Sequence, residues 1–226
     1  MKRRQFFKTA GGTALLASSG MPSFLMDLYA FSGKQNLSHV EARYYKKRPD
    51  REIECELCPR FCLLGDKERG YCGVRENQGG TYYTLVYGKL CSIHDDPIEK
   101  KPLFHFLPGS RALSVATAGC NVNCKFCQNW EISQVRPEQV QNYDVPPEDL
   151  VDIALKYNCP VIAYTYTEPI VFYEYMYDTS LEGRNKGIRN VVITGGYINP
   201  EPLVELTKVV DAIKVDLKSF SQDFYT

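Results

Sequence analysis

The 226-residue sequence lacks an excess of charge, long hydrophobic runs and clustered histidines. Its 27 basic residues balance 27 acidic ones, so net charge gives no support for a nucleic-acid-binding protein. No run of about 18 apolar residues occurs, and we therefore expect no membrane span. The three histidines, His39, His94 and His105, are not spaced as a metal-binding pair.

Cysteine, in contrast, is abundant. The nine cysteines are an odd number and most of them are clustered at short spacings, which favours metal ligation over a disulfide scaffold. The hydrophobic content of 44% and charged content of 24% are those of an ordinary globular protein. The sequence therefore predicts a folded protein with one or more metal sites.

Three regions follow one another along the chain. Residues 1–31 begin with Lys2, Arg3 and Arg4 before an aromatic pair and a weakly apolar stretch, which resembles a twin-arginine export signal. A basic N-terminal helix is the alternative. Residues 32–112 are interpreted as a linker, up to about residue 52, and a small cysteine-rich module. This module includes a strand at 81–87 and a turn-rich connection at 95–102.

The third region, residues 113–226, alternates short apolar runs with amphipathic stretches. We predict strands at 112–118, 161–165, 190–194 and 212–217, and helices at 147–158, 169–181 and 202–209. This alternation predicts the α/β class, with a parallel sheet covered by helices. A closed parallel barrel needs more than about four such units, so we expect a C-terminally truncated piece of one. A complete, small open sheet is the alternative.

Three cysteines with the spacing C-x3-C-x2-C follow the first of these strands. Cys120, Cys124 and Cys127 supply three thiolates, which suit a [4Fe–4S] cluster and leave one of its irons without a protein ligand. The loop follows a strand, and parallel barrels place their active sites at the carboxyl ends of strands. The alternative is a zinc site that recruits a fourth ligand, such as His94 or His105.

The motif resembles the signature of radical S-adenosylmethionine (SAM) enzymes, in which Phe126 also fits the pattern. The resemblance implies a [4Fe–4S] cluster whose open iron binds SAM, and reductive cleavage of SAM to a 5′-deoxyadenosyl radical. Cys124–Asn129 is similar to the glycyl-radical-enzyme activases, which include pyruvate formate-lyase activating enzyme. The segments 96–103 and 105–109 resemble the AmmeMemoRadiSam system radical SAM enzyme family. This resemblance extends from about Cys55 to the end of the sequence.

The same resemblance implies a set of SAM-binding residues on later strands. Glu168 is the candidate acid for the SAM amino group, although Tyr166 and Thr167 replace the usual glycine pair. The further candidates for cofactor binding are Asn129, Thr194, Gly195, Asp216 and Lys218. All of these except Asn129 have a structural alternative, namely a helix cap for Glu168, an ordinary turn for Thr194 and Gly195, and a solvated strand end for Asp216 and Lys218.

A second cysteine group precedes the first. Cys55, Cys58, Cys62 and Cys72 place four thiolates within 18 residues, enough to complete a metal site. An auxiliary [4Fe–4S] cluster, zinc and another redox role all stay open, because spacing alone does not choose between them. Cys91 is an alternative ligand or a buried residue, and Cys159 is predicted to be a core residue.

These observations favour a radical SAM enzyme that abstracts hydrogen from an unknown substrate. Resemblance to the activases makes a protein residue a candidate substrate, and a low-potential electron donor protein is an implied partner. The alternatives are a non-catalytic iron–sulfur electron carrier and a structural zinc-binding protein. SAM and low-potential electrons are cytoplasmic resources, whereas a functional twin-arginine signal would export the chain, so the location stays open.

Overall fold

The computed structural model describes residues 37–225, where short strands and helices alternate. The strands are β1 (Val40–Glu41), β2 (Tyr45–Lys47), β3 (Ile53–Cys55), β4 (Leu63–Leu64), β5 (Arg75–Gln78), β6 (Thr81–Thr84), β7 (Lys89–Leu90), β8 (Ser92–Pro97), β9 (Arg111–Ala116), β10 (Tyr143–Asp144), β11 (Val161–Tyr164), β12 (Arg189–Thr194) and β13 (Ala212–Val215). The α-helices are α1 (Trp130–Ser133), α2 (Pro147–Lys156), α3 (Tyr173–Asn185) and α4 (Pro200–Thr207). Short 3-10 turns occupy Pro49–Arg51, Ile98–Lys100, Pro137–Gln139, Pro169–Phe172 and Gln222–Phe224. The segment interpreted as an export signal lies outside the described residues.

The main sheet has five strands in the order β13-β12-β11-β9-β8. The strands β9, β11, β12 and β13 are parallel, with Val161 paired to both Ala112 and Arg189. Every residue of β11 is buried, as expected for a parallel strand covered on both faces. The predicted α/β class with a parallel sheet is therefore confirmed. The sheet is not closed within residues 37–225, so the partial barrel stays a prediction.

The helices cover this sheet by means of buried apolar stripes. Helix α2 begins at Pro147, with Glu148 and Asp149 in its first turn, where acidic side chains favour the helix N-terminus. Its buried residues include Leu150 and Ile153, and it packs against α3 and β11. No helix in the described part of the chain is both long and apolar enough to cross a bilayer.

Some element boundaries differ from the sequence predictions. The first three residues of the connection predicted at 95–102 instead belong to β8, an antiparallel edge strand paired with β9, whereas Ile98–Lys100 form a 3-10 turn. Its run of Asp95, Asp96 and Pro97 is typical of a turn, but ion pairs with Arg111 and Lys101 satisfy the two carboxylates. The helix predicted from residue 169 begins as a 3-10 turn and becomes α-helical only at Tyr173.

The region before β8 consists of short antiparallel pairs. One sheet has the order β1-β6-β5 and another the order β2-β3-β4, so strands also occupy part of the predicted linker. A buried ion pair joins this region to α3: Arg75 donates to both carboxylate oxygens of Glu174, and both residues are 1% exposed. The Nε of Arg75 also donates to the carbonyl oxygen of Val171 at 3.1 Å. The cysteine-rich segment is thereby fixed against the α/β sheet.

Candidate active site at the carboxyl ends of the parallel strands

A cavity of about 720 Å³ lies where the parallel strands end. Its walls come from the loop after β9 and from the segments after β11, β12 and β13. All nine residues that the sequence predicted for the cluster and SAM line this cavity: Cys120, Cys124, Cys127, Asn129, Glu168, Thr194, Gly195, Asp216 and Lys218. The strand order brings these residues together from four separate parts of the chain.

The loop after β9 carries the three cysteines. Its backbone turns at Gly119, where φ is +94° and a Cβ atom would lie 2.7 Å from the Cys72 carbonyl oxygen. The backbone N–H of Val122 donates to the Cys120 sulfur at 3.4 Å, and the sulfur of Cys127 lies 3.1 Å from the Ser133 hydroxyl. Burial raises the pKa of the Cys120 thiol to about 12, so the unliganded thiol is neutral at pH 7.

The donor set fits an iron–sulfur cluster better than a single ion. All three thiols are free of disulfides and face one cavity, where no other cysteine or histidine of residues 37–225 joins them. Among the described residues no three Cys, His, Asp or Glu side chains are placed to hold one metal ion. A zinc ion needs its ligands about 2.0–2.3 Å from one point, whereas a cubane takes each thiolate on a different iron.

The histidines proposed for a zinc alternative do not line this cavity. The exposed His94 ring packs edge-on against Tyr166, with 5.6 Å between ring centroids, and His105 is also exposed. The residues present therefore match three cluster ligands with one open iron.

Glu168 lies after β11, directly before the Pro169–Phe172 turn, and is 5% exposed. Its carboxylate accepts hydrogen bonds from the Thr194 hydroxyl, from the Gly195 N–H at 2.8 Å and from the Ile170 N–H at 3.3 Å. Glu168 thus caps the turn that follows it, as the structural alternative predicted, and it also faces the cavity. Burial raises the pKa of its carboxyl group despite these hydrogen bonds.

Asp216 and Lys218 lie beyond the end of β13. The strand predicted to reach residue 217 ends at Val215, so both residues belong to the following loop. The Lys218 Nζ lies 3.4 Å from an Asp216 carboxylate oxygen, and Lys214 pairs with the other oxygen. Both Asp216 and Lys218 line the cavity.

Asn129 connects the cysteine loop to the segment after β11. Its side-chain amide donates to the Tyr166 carbonyl oxygen at 2.8 Å. Tyr166 has a φ of +64°, a conformation that favours glycine, and glycine is the residue usual here in the family that the sequence resembles. Trp130, which follows Asn129 at the start of α1, is 58% exposed.

One group of cavity residues was not predicted. Lys101 is 2% exposed and pairs with Asp96, whose carboxylate also accepts hydrogen bonds from Lys100 and the Tyr166 hydroxyl. The sequence singled out this segment only through a family resemblance. Asp96 and Lys101 form a buried salt bridge because β8 is a strand. The local sequence around them is typical of a turn and does not predict this contact.

The second cysteine group lies apart from this cavity. Cys55 ends β3, Cys58 and Cys62 lie in the loop that follows, and Cys72 precedes β5. All four line a separate cavity of about 20 Å³. Cys91 is half-buried and hydrogen-bonds through its sulfur to the Ala116 carbonyl oxygen, whereas Cys159 is buried in the core as predicted.

Residues 114–226 match the Radical SAM superfamily, and the chain belongs to that superfamily. Membership implies an enzyme that uses a [4Fe–4S] cluster and SAM, which confirms the general class that the sequence predicted. At the level of individual proteins, the chain is similar to the uncharacterized protein MJ0808 of Methanocaldococcus jannaschii. The two are 51% identical over 185 residues, which cover 82% of this chain and 55% of that protein.

A second uncharacterized protein of the same organism, MJ0674, is 30% identical over 103 residues, which cover 44% of this chain and 25% of that protein. The chain therefore spans about half the length of the first relative and about a quarter of the second. Neither relative assigns a substrate.

Proposed function

We propose that this chain is the cluster-binding and SAM-binding part of an activase-like radical SAM enzyme that abstracts hydrogen from a protein residue. The observation that carries the proposal is the shared cavity, in which three thiols meet polar residues from three other strand ends. When bound, the cluster supplies the electron that cleaves SAM to methionine and a 5′-deoxyadenosyl radical. The chain's own residues bind and orient the two cofactors.

Cys120, Cys124 and Cys127 would hold three irons, which leaves the fourth open toward the cavity. The Glu168 carboxylate is the acceptor for the SAM amino group. Three donors from Thr194, Gly195 and Ile170 fix its orientation, and its two oxygens keep lone pairs for a further donor. An ammonium group bound there would also stabilise the charged form of this buried carboxylate.

Positive charge lies beside Glu168. Lys218 is our candidate for the SAM carboxylate, since its side chain and the Glu168 carboxylate both lie close to Gly195. Asp216 holds the Lys218 ammonium group at 3.4 Å. Asn129 faces the cavity from the cysteine loop and is placed to donate to cluster sulfur or to SAM. Lys100 and Lys101 line the cavity after β8, at the other edge of the sheet from Lys218, where an acidic or carbonyl group of the substrate would bind.

A protein substrate is supported by the activase-like sequence motifs and by exposed aromatic side chains. Phe126 is 66% exposed in the cavity wall and stacks on Phe224, with 6.0 Å between ring centroids. Trp130 is exposed at the start of α1, close in sequence to the cluster ligands. Large exposed aromatic residues are enriched at sites of protein contact. A low-potential electron donor protein is the second partner that we propose.

The test is SAM cleavage by the anaerobically reconstituted 226-residue chain. The chain is loaded with iron and sulfide, reduced with dithionite and mixed with SAM, and 5′-deoxyadenosine and methionine are measured by chromatography. We expect both products in equal amounts. The Cys124→Ala chain should form neither, whereas Cys91→Ser, a cysteine outside the cavity, should match the wild type.

Two other results would reject the proposal. A brown, cluster-loaded chain that reduces and reoxidises without forming 5′-deoxyadenosine would be an electron carrier. A colourless chain that takes up zinc but no iron would be a structural zinc protein.

A further inference from the structure

Four cysteines outside the proposed active site meet at one place. Pairing of β3 with β4 brings Cys55 close to Cys62, and a hydrogen bond of 3.0 Å from the Gly70 N–H to the Arg75 carbonyl oxygen folds Cys72 back toward them. A Cβ atom at Gly70 would lie 3.8 Å from the Cys72 sulfur and 3.9 Å from the Cys62 sulfur. Together with Cys58 they line the same small cavity, and none is in a disulfide.

One of the four sulfurs also accepts a backbone hydrogen bond. The Tyr71 N–H donates to the Cys62 sulfur at 3.5 Å. The Cys120 sulfur accepts a similar hydrogen bond from the Val122 N–H in the first site. A thiol is a weak acceptor, so such a contact suits a thiolate that carries the charge of a metal centre.

The placement of the four cysteines favours a cluster over a single ion. A zinc ion needs its four sulfurs about 2.3 Å from one point. No three of these residues are placed around one point in this way, a property that they share with the first site. In a [4Fe–4S] cluster each thiolate binds a different iron, so the four sulfurs lie farther apart.

From this geometry we propose that Cys55, Cys58, Cys62 and Cys72 bind a second [4Fe–4S] cluster with four protein ligands. The site lies directly against the loop of the first cluster. The Cys72 carbonyl oxygen faces Gly119, and Arg60 donates through Nε to the Asn121 carbonyl oxygen at 2.7 Å. Asn121 follows Cys120 and lines the second cavity, so the two sites share a wall.

The test counts iron and sulfide in the full chain after anaerobic reconstitution. We expect about eight irons in the wild type and about four in Cys58→Ser/Cys62→Ser, because each cubane holds four. Cys124→Ala/Cys127→Ala should also keep about four, with an electron paramagnetic resonance signal of the reduced cluster that SAM leaves unchanged. The matched control, Cys91→Ser/Cys159→Ser, should keep the wild-type content.

The Cys124→Ala/Cys127→Ala chain decides the outcome, because the Cys58→Ser/Cys62→Ser chain can lose iron merely by failing to fold. If the Cys124→Ala/Cys127→Ala chain binds less than about one iron, or binds one zinc ion instead, the second cluster does not exist. Adding Cys62→Ser to that chain must remove its remaining iron, and retention of that iron would also refute the proposal. This measurement uses no SAM cleavage, so it stands or falls separately from the proposed function.

Discussion

Glu168 accepts a hydrogen bond from the backbone N–H of Gly195 at 2.8 Å, which ties the end of β11 to the end of β12. The neighbouring Thr194 hydroxyl donates to the other carboxylate oxygen. A buried carboxylate held by donors from two strand ends has one orientation, and here it faces the cavity that contains the three thiols. The adjacent strand ends thus fix the orientation of this carboxyl group before any cofactor binds.

Replacing this acceptor should weaken SAM binding. In Glu168→Gln the side chain keeps its size but loses its charge, so we expect SAM affinity to fall about tenfold to hundredfold, as for a lost charged hydrogen bond. Equilibrium dialysis of SAM with the reconstituted chain measures this directly. Iron content should stay unchanged, and Glu201→Gln, at an exposed glutamate in α4, should bind SAM like the wild type. Equal affinity in Glu168→Gln would remove Glu168 from the site.

Local sequence signals predicted much of the fold and of the candidate site. The buried strands β9, β11, β12 and β13 were recognisable because a parallel strand covered on both faces is a continuous apolar run. Cys120, Glu168 and Lys218 follow such runs, and parallel strands end at one edge of a sheet. Their convergence on one cavity therefore follows from strand order, which alternation of strands and helices already indicates.

The elements that were missed depend on contacts distant in sequence. Strand β8 contains two aspartates and a proline, and only its pairing with β9 and its ion pairs with Lys101 and Arg111 make it a strand. For the same reason the position of Lys101 in the cavity lining was not predicted. The ion pair through which Arg75 attaches the cysteine-rich segment to α3 also could not be predicted from a local pattern, because Glu174 is 99 residues away.

Gly119 should be intolerant of any side chain. A Cβ atom there would lie 2.5 Å from a Val74 methyl carbon and 2.7 Å from the Cys72 carbonyl oxygen, and φ is +94°. We expect Gly119→Ala to lower the free energy of unfolding by about 2–4 kcal/mol, from backbone strain and overpacking together. Urea unfolding followed by circular dichroism measures the loss. Gly109→Ala is the matched control, since its φ is also positive but nothing lies near its Cβ position. Similar losses in the two variants would mean that the contact with Cys72 is not tight.

Removing one charge of the buried pair Arg75 and Glu174 should lower the free energy of unfolding more than replacing both residues by apolar ones. Arg75→Met leaves the Glu174 carboxylate buried without its partner, and we expect a loss of about 3–5 kcal/mol in the free energy of unfolding. The double variant Arg75→Met/Glu174→Leu removes both charges and should recover most of that loss. Urea unfolding of the wild type, of the single variants Arg75→Met and Glu174→Leu and of the double variant gives the coupling between the two positions. If the double variant lost the sum of the two single effects, the side chains would not interact as the structure indicates.

Asp96 should make the stability of the chain depend on pH in acid only. Burial by itself would raise the pKa of this carboxyl group, but hydrogen bonds from Lys100, Lys101 and Tyr166 hold it well below its ordinary value. A carboxylate with a depressed pKa contributes its full stabilisation above the pKa of the unfolded chain, about 3.9, and loses it as the pH falls toward the folded value.

Asp96→Asn should therefore be less stable by about 3 kcal/mol at pH 7, because it leaves the buried Lys101 ammonium without its anion. The difference from the wild type should stay constant from about pH 8 to pH 5 and shrink below about pH 4. Urea unfolding of the metal-free chains at a series of pH values measures it, with the exposed Asp152→Asn as a control of near-zero effect. A difference that stays constant down to about pH 2 would mean that the Asp96 pKa is not depressed. In that case a group other than the Asp96 carboxylate would have to balance the Lys101 ammonium charge, or Lys101 would be neutral.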